Sequence, residues 1–446
     1  MRSLVSPVAL CALLLVAPGL AHEVALPPAE ALRDGALRPA EAAARWRAGG
    51  VSPEAAHAAL ARLPLLPAPA GDPEVPLEDG LGRETTARVV LPPDGPGPDG
   101  RYRVLIVLHG AGGNARQVLG PGRGLLPPHT ILVAPSALRT PDELDFEDLR
   151  GARGRPLPVA RQFPNWWSYR EDAFPLLALE WVRRRYPVDD DRVVLAGYSM
   201  GGFGAWNLGL RYHDRFAGLA PLAGGISRGE YFLQRDELSR ALLDNAAMVP
   251  AFFVHGARDT VVPVFFDRWT RRDLEARGIA HTYVELKDGR HMLPDVLEPE
   301  GEVARALARW IDERRRDPHP ARVVHRVVGT YHGGAYWVRV DAHAGNTAWV
   351  SATARAGRIE VETRGVTRLT VFLDPKLVDP TGPVTVVVDG RVAHEGVVPE
   401  SLEAVAASFA RARDAALTYR HAVTLEVAPR EVEELPSPLD GWRRRS

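Results

Sequence analysis

The stretch that most constrains this chain runs from position 191 to 206, Asp-Arg-Val-Val-Leu-Ala-Gly-Tyr-Ser-Met-Gly-Gly-Phe-Gly-Ala-Trp. Residues 193–196 are continuously apolar, as a strand buried on both faces must be. They pass at once into Gly197-Tyr198-Ser199-Met200-Gly201. Small residues on either side of a serine let a strand turn sharply into a helix, with the serine at a strained apex and its hydroxyl exposed. The N-terminus of the helix then faces any negative charge that forms there. Such five-residue patterns arise by chance in long chains. The preceding strand and the following Gly202-Phe-Gly-Ala-Trp give this one weight, and the partner residues have to decide its chemistry.

A serine that transfers acyl groups needs a base, a group that orients the base, and donors for the oxyanion. In doubly wound hydrolases the partners follow the serine in the order acid, then histidine. Beyond Ser199 the chain offers His255-Gly-Ala-Arg-Asp259-Thr-Val-Val-Pro263 at the end of one apolar run. Asp288-Gly-Arg-His291-Met-Leu-Pro294 follows the last such run. Asp259 is assigned as the orienting acid, because that loop lies at the carboxyl edge of the sheet. His291 is assigned as general base and acid. Asp267, Asp288 and Asp295 stay open as alternative acids. His255 and His281 rival His291, but they sit beside strands, where packing or surface roles are the simpler reading. One oxyanion amide is expected from Met200. The other is expected from His109-Gly110-Ala111-Gly112-Gly113, with Ala111 favoured, Gly110 its rival, and His109 fixing the turn.

That glycine-rich turn admits a competing reading. Gly110-Ala-Gly112-Gly-Asn-Ala115 follows an apolar run and matches a relaxed dinucleotide-binding fingerprint. Such a site needs an acidic residue at the end of the next strand to hold a ribose. The next run, residues 130–134, ends in Pro135-Ser136 instead. The dinucleotide reading is therefore set aside, and no metal ligands are assigned.

Along the chain, apolar runs at 102–108, 130–134, 193–196, 216–222, 249–254 and 282–286 alternate with helical patterns at 173–186, 200–212, 263–277 and 300–315. Residues 83–91 alternate like an edge strand. Strands alternating with helices predict a doubly wound, mostly parallel α/β sheet with helices on both faces. The catalytic domain is placed at 81–316. Upstream, residues 22–80 are rich in Ala, Pro and Arg, with helical patterning at 29–48 and 53–63 and a proline-punctuated linker at 63–76. After Asp317-Pro-His-Pro320, short β-rich segments predict a C-terminal β-sandwich-like domain over 321–428, with Asp389-Gly390 as a hairpin turn and helical patterning at 399–417. Residues 429–446 form a charged tail.

Of the 446 residues 46% are hydrophobic and the formal net charge is -1, which permits large cores and gives no nucleic-acid footprint. Residues 1–21 have a charged start, a short apolar centre and a small-residue end, the pattern of a secretory signal, so a secreted or periplasmic location is expected. The mature chain then has no membrane span, and it loses Cys11, its single cysteine, so packing rather than disulfides must stabilise it.

In combination, His109-Gly-Ala-Gly-Gly, the 191–206 stretch, Arg215-Phe-Ala-Gly-Leu-Ala-Pro, His255-Gly-Ala-Arg-Asp and Gly289-Arg-His resemble the α/β-hydrolases, specifically the secreted esterases and peptidase-like proteins related to esterase D and feruloyl esterases. The resemblance covers residues 83–315, about half the chain. It implies hydrolysis of carboxylic esters, sometimes of peptides, without a cofactor, by Ser199, His291 and Asp259. The substrate is expected to be a small-molecule or polymer-linked ester. Two other classes stay in view: a serine peptidase of the same fold, and a binding or scaffold protein with a vestigial hydrolase domain. Trp166, Trp167 and Tyr198 are expected to line the substrate, the tryptophans as an aromatic wall ending the long 136–170 connection. Tyr331, Tyr336, Trp337 and Trp349 of the C-terminal domain are expected first to be structural, and second to contact a polysaccharide or another subunit.

Overall fold

In the computed structural model of the chain, residues 18–80, 82–137, 166, 173–226, 237–298, 301–329 and 332–436 are described. They fall into two compact units: one runs to Leu63 and takes in Glu400–Arg420, and the other holds Pro64–Pro399 and the chain from His421 onward.

The larger unit is built on an eight-stranded sheet: β1 (Glu74–Glu78), β2 (Glu84–Val90), β3 (Tyr102–Leu108), β4 (Thr130–Pro135), β5 (Val188–Tyr198), β6 (Gly218–Leu222), β7 (Phe252–Gly256) and β8 (Thr282–Leu286). Their order is β1-β2-β4-β3-β5-β6-β7-β8, antiparallel through β1, β2 and β4 and parallel from β4 onward. The period of two explains why the central strands are apolar without alternation. Val104, Ile106 and Leu108 of β3 pack with Leu179 and Trp206 on one face, while Leu105 and Val107 pack with Val118, Leu307 and Ile311 on the other. Both faces are covered by helices, as the predicted doubly wound fold requires. The 83–91 edge strand differs in place: β1, formed from the stretch assigned to the linker, pairs outside it. A prolyl residue in β1, Pro76, is tolerated because an edge strand needs only one row of donors.

The C-terminal β-rich region makes two sheets. One holds β10 (Gly334–Ala335), β11 (Val338–His343), β14 (Val366–Leu373) and β17 (His421–Glu426). The other holds β9 (Arg322–Val328), β12 (Thr347–Arg355), β13 (Arg358–Arg364), β15 (Val384–Val388) and β16 (Arg391–Gly396). Trp337 and Tyr336 are buried, and the Trp337 indole N–H donates to the Pro320 carbonyl at 2.8 Å, so both serve packing. Trp349 is half-buried beneath Arg364, and Tyr331 lies outside the described residues.

The expected break at 316–321 does not make this a free-standing domain, because polar groups across the seam satisfy one another. Buried Arg211 donates to the Val328 carbonyl at 2.9 Å, and the Tyr336 amide donates to Asp214 at 3.0 Å. Asn245 is fully buried, donates to the Leu210 and Arg326 carbonyls at 3.0 Å each and accepts from the Arg326 amide at 2.5 Å. Replacing Asn245 by Ala strands these three backbone groups, and a loss of ~3 kcal/mol is expected in urea unfolding of the full chain.

A histidine cluster closes the same seam. His213 Nε2 donates to His325 Nδ1 at 3.1 Å, and His325 Nε2 donates to the His332 carbonyl at 2.7 Å. Donors surround the His332 ring: the Val328 amide reaches Nε2 at 3.2 Å and the Arg211 guanidinium approaches Nδ1 at 3.3 Å. Burial, with Arg211 and the neighbouring histidines, pushes His332 well below its ordinary value. The unfolded chain takes up this proton near pH ~6.5 and the folded chain refuses it. The stabilising contribution is therefore present above that pH and lost as pH falls below it. Thermal melting at acid and neutral pH is expected to show a lower midpoint on the acid side, an effect that His332→Gln reduces.

The smaller unit packs helices Pro18–Arg33, Pro39–Ala48 and Pro53–Ala61 with Leu402–Ala412. Gly35, at φ +75°, ends the first helix and splits the helical pattern read over 29–48 in two. Alanines 25, 29, 42, 43, 56 and 59 let the helices approach closely around Trp46, Val405 and Phe409. The helix expected inside the C-terminal domain thus belongs to the core of this N-terminal unit. Among the described residues, no helix is long and apolar enough to cross a membrane.

Candidate active site

The sharp turn after β5 is a consequence of close packing. A Cβ at Gly197 would overlap the Gly201 carbonyl, one at Gly201 would overlap the Leu108 carbonyl, and one at Gly202 would lie 2.6 Å from the Leu222 oxygen. Only glycine fits at these three positions. Ser199 itself sits at φ 55°, ψ -117°, a conformation costly for a residue with a side chain. It is held there by its amide, which donates to the Leu222 carbonyl at 2.8 Å, and by its carbonyl, which accepts from Phe203 at 3.1 Å. The helix Met200–Arg211 starts immediately afterwards.

The loops after β7 and β8 supply the partners. They are zipped together by the Ala257 amide on the Leu286 carbonyl and the Arg258 amide on the Gly289 carbonyl, both at 2.8 Å. Ser199 Oγ donates to His291 Nε2 at 2.9 Å, and His291 Nδ1 donates to Asp259 Oδ2 at 2.7 Å. The other oxygen of Asp259 accepts from the Val261 and Val262 amides at 2.9 and 2.8 Å. Burial alone would raise the Asp259 carboxyl, but hydrogen bonds from His255, His291 and Val262 hold it well below the usual carboxylate range. An ionised Asp259 fixes the Nδ1–H tautomer of His291, which leaves the Nε2 lone pair facing the serine.

The alternatives are occupied elsewhere. His281 Nδ1 donates to the Ile279 carbonyl at 2.9 Å, and exposed Asp288 pairs with Arg258 at 2.8 Å. Asp267 bonds buried His255 at 2.7 Å. The Asp295 side chain lies outside the described residues.

On the opposite side of the serine, residues 110–113 form a turn closed by the Gly113 amide on the Gly110 carbonyl at 3.1 Å, with Gly112 at φ +71°. A Cβ on Gly110 would stand 3.4 Å from Ser199 Cβ, so the Gly110–Ala111 peptide adjoins Ser199. His109 locks this turn: Nδ1 donates to the Gly110 carbonyl at 2.7 Å, and Nε2 accepts from the Ala137 amide at 2.9 Å.

Two of the expected substrate residues have other duties. Trp166 is only 3% exposed, packs against Gly204 in the core, and donates its indole N–H to the His109 carbonyl at 3.1 Å. It buttresses the turn from behind rather than forming a wall. Tyr198 is buried beside Ser199 and its hydroxyl donates to the His291 carbonyl, so it anchors the histidine loop. The ordinary tendency of large aromatic rings to be buried, with the polar tip bonded, explains both departures. Trp167 lies outside the described residues. What sequence reasoning missed is an exposed apolar pair beside the histidine and the acid, Met292 at 63% and Val261 at 57% exposure. Among the described residues, no cluster of His, Cys, Asp and Glu could hold a metal ion.

Residues 79–264 match the family described as "Putative esterase". A stretch of 128 residues is 28% identical to an "Uncharacterized secreted protein" of Arthroderma benhamiae, covering 25% of this chain and 14% of that one. Another, of 107 residues, is 28% identical to "Lysophospholipase-like protein 1" of Mus musculus, covering 24% and 42%. The matched stretches thus span less than half the length of either relative. Among solved structures, a thermostable esterase is 23% identical, with 55% of this chain and 63% of that one covered and a TM-score of 0.37. A ferulic acid esterase is 18% identical, with coverages of 54% and 95% and a TM-score of 0.38.

Proposed function

Because residues 79–264 are of esterase type on an α/β-hydrolase sheet, we propose that the chain is a serine esterase acting through Ser199, His291 and Asp259. The observation that carries the proposal is the unbroken relay Ser199–His291–Asp259, with links of 2.9 and 2.7 Å, at the carboxyl edge of the sheet. His291 removes the serine proton as Oγ attacks the ester carbonyl. The oxyanion is received by the Met200 amide, at the start of its helix, and by the Ala111 amide of the 110–113 turn. Protonated His291 then gives its proton to the departing alcohol, and water activated by the same imidazole releases the acid. Val261 and Met292 offer apolar surface next to the catalytic loops, which suits a substrate group of hydrocarbon character. The N-terminal signal pattern and the secreted relative favour export as the setting.

The test is covalent labelling of the full chain with a fluorophosphonate, followed by mapping of the modified peptide. Labelling at Ser199, with turnover of an activated short-chain ester, is the expected result. Absence of labelling would leave a binding or scaffold role. Faster cleavage of an aminoacyl anilide than of the matching ester would shift the assignment to a peptidase.

A further inference from the structure

Behind the proposed triad lies a second histidine that the reaction does not call on directly. We propose that His255 is a doubly protonated ring whose positive charge, shared between Asp267 and Asp259, holds Asp259 in place and sets the basicity of His291. The proposal rests on the triad assigned above. His255 lies on β7, is fully buried, and faces acceptors at both nitrogens. Nδ1 lies 2.7 Å from Asp267 Oδ2. Nε2 lies 2.8 Å from the Val262 carbonyl, which can only accept, and 3.4 Å from the Asp259 oxygen that also receives His291. Asp267 is itself fully buried, and its other oxygen has no hydrogen-bond partner among the described residues. A carboxylate buried in this way is stabilised by a neighbouring cation, and His255 is the group placed to supply it. The balance is favourable: burial pushes the ring down, but Asp259, Asp267 and the Val262 carbonyl together push it up to about 10.

Other charged groups around the pair are already matched. Glu285, the neighbour of His255 across β8, is held by Arg268 and Tyr283. The groups that set His291 are therefore Asp259 directly and the His255–Asp267 pair through it.

Two experiments test this on the full chain. The first needs no activity: nitrogen-15 spectra of the Ser199→Ala protein, labelled at histidine, with His255 assigned by the Gln variant. One ring retaining both protons from pH 7 to 9 is expected, and a His255 ring found neutral at pH 7 overturns the proposal. The second is the pH profile of kcat/KM. His255→Gln leaves Asp259 and Asp267 uncompensated, so the acid limb is expected to move up by about one pH unit. His255→Gln with Asp267→Asn removes one charge of each sign and is expected to return the limb to its original place. A limb unmoved in the single variant would show that His255 is only packing. If the chain proved not to hydrolyse esters, the spectra would still decide the protonation of the ring.

Discussion

Ser199→Ala is expected to lower kcat on an activated short-chain ester by roughly a million-fold, with KM little changed. In the proposed mechanism Oγ is the atom that forms the acyl bond, and no other hydroxyl among the described residues is hydrogen-bonded to His291 Nε2. What remains should be the contribution of the oxyanion amides and of binding alone, roughly a thousand-fold over water. His291→Ala should cost about as much, and the double variant little more, because the two residues act as one unit. The backbone supplies a control for folding. At φ 55° and ψ -117° alanine is as strained as serine, so Ser199→Ala should melt close to the parent. Ser199→Gly relieves the strain and should be more stable by roughly 1 kcal/mol while being equally inactive. A Ser199→Ala protein that melts normally and still turns over the ester near the parent rate would end the esterase assignment.

The fold, and which side chains meet at the candidate site, were legible because their signals are local. Uninterrupted apolar runs identify strands buried on both faces, and the glycines at 197 and 201 mark a place where no Cβ fits. The ends of the strands then say which loops share an edge, which is why Ser199, Asp259 and His291 could be named from widely separated stretches. What was not legible depends on which way a ring turns. Tyr198 adjoins Ser199 in sequence and Trp166 ends a long connection, yet hydrogen bonds to the His291 and His109 carbonyls turn these rings toward the protein. β1 was hidden in a proline-rich stretch, because a five-residue edge strand carries only two buried side chains, Val75 and Leu77. The helix Leu402–Ala412 was recognisable as a helix, but its apolar face gives no sign that its partners lie more than three hundred residues earlier.

The same dependence on direction makes Asp259→Asn the second large effect. Asparagine matches the carboxylate in size but puts a donor where one oxygen was. The Val261 and Val262 amides both point at Oδ1 and require an acceptor there. The amide group is thereby forced onto the Oδ2 side, facing His291 Nδ1 at 2.7 Å and His255 Nε2 at 3.4 Å. His291 can meet it only by turning Nδ1 into an acceptor, which moves the ring proton to Nε2, opposite Ser199. In that tautomer the imidazole cannot take the serine proton, and kcat is expected to fall by about ten-thousand-fold with KM nearly unchanged. Toward His255 the swap sets donor against donor, so the variant should also melt below the parent. Asp259→Ala imposes no tautomer and leaves Nδ1 free to keep its proton. It is therefore expected to retain more activity than the asparagine variant, although it is the larger deletion. Steady-state kinetics of the two proteins at one pH decide the matter: an asparagine variant as active as the alanine one would mean that Asp259 acts by charge alone and does not orient the ring.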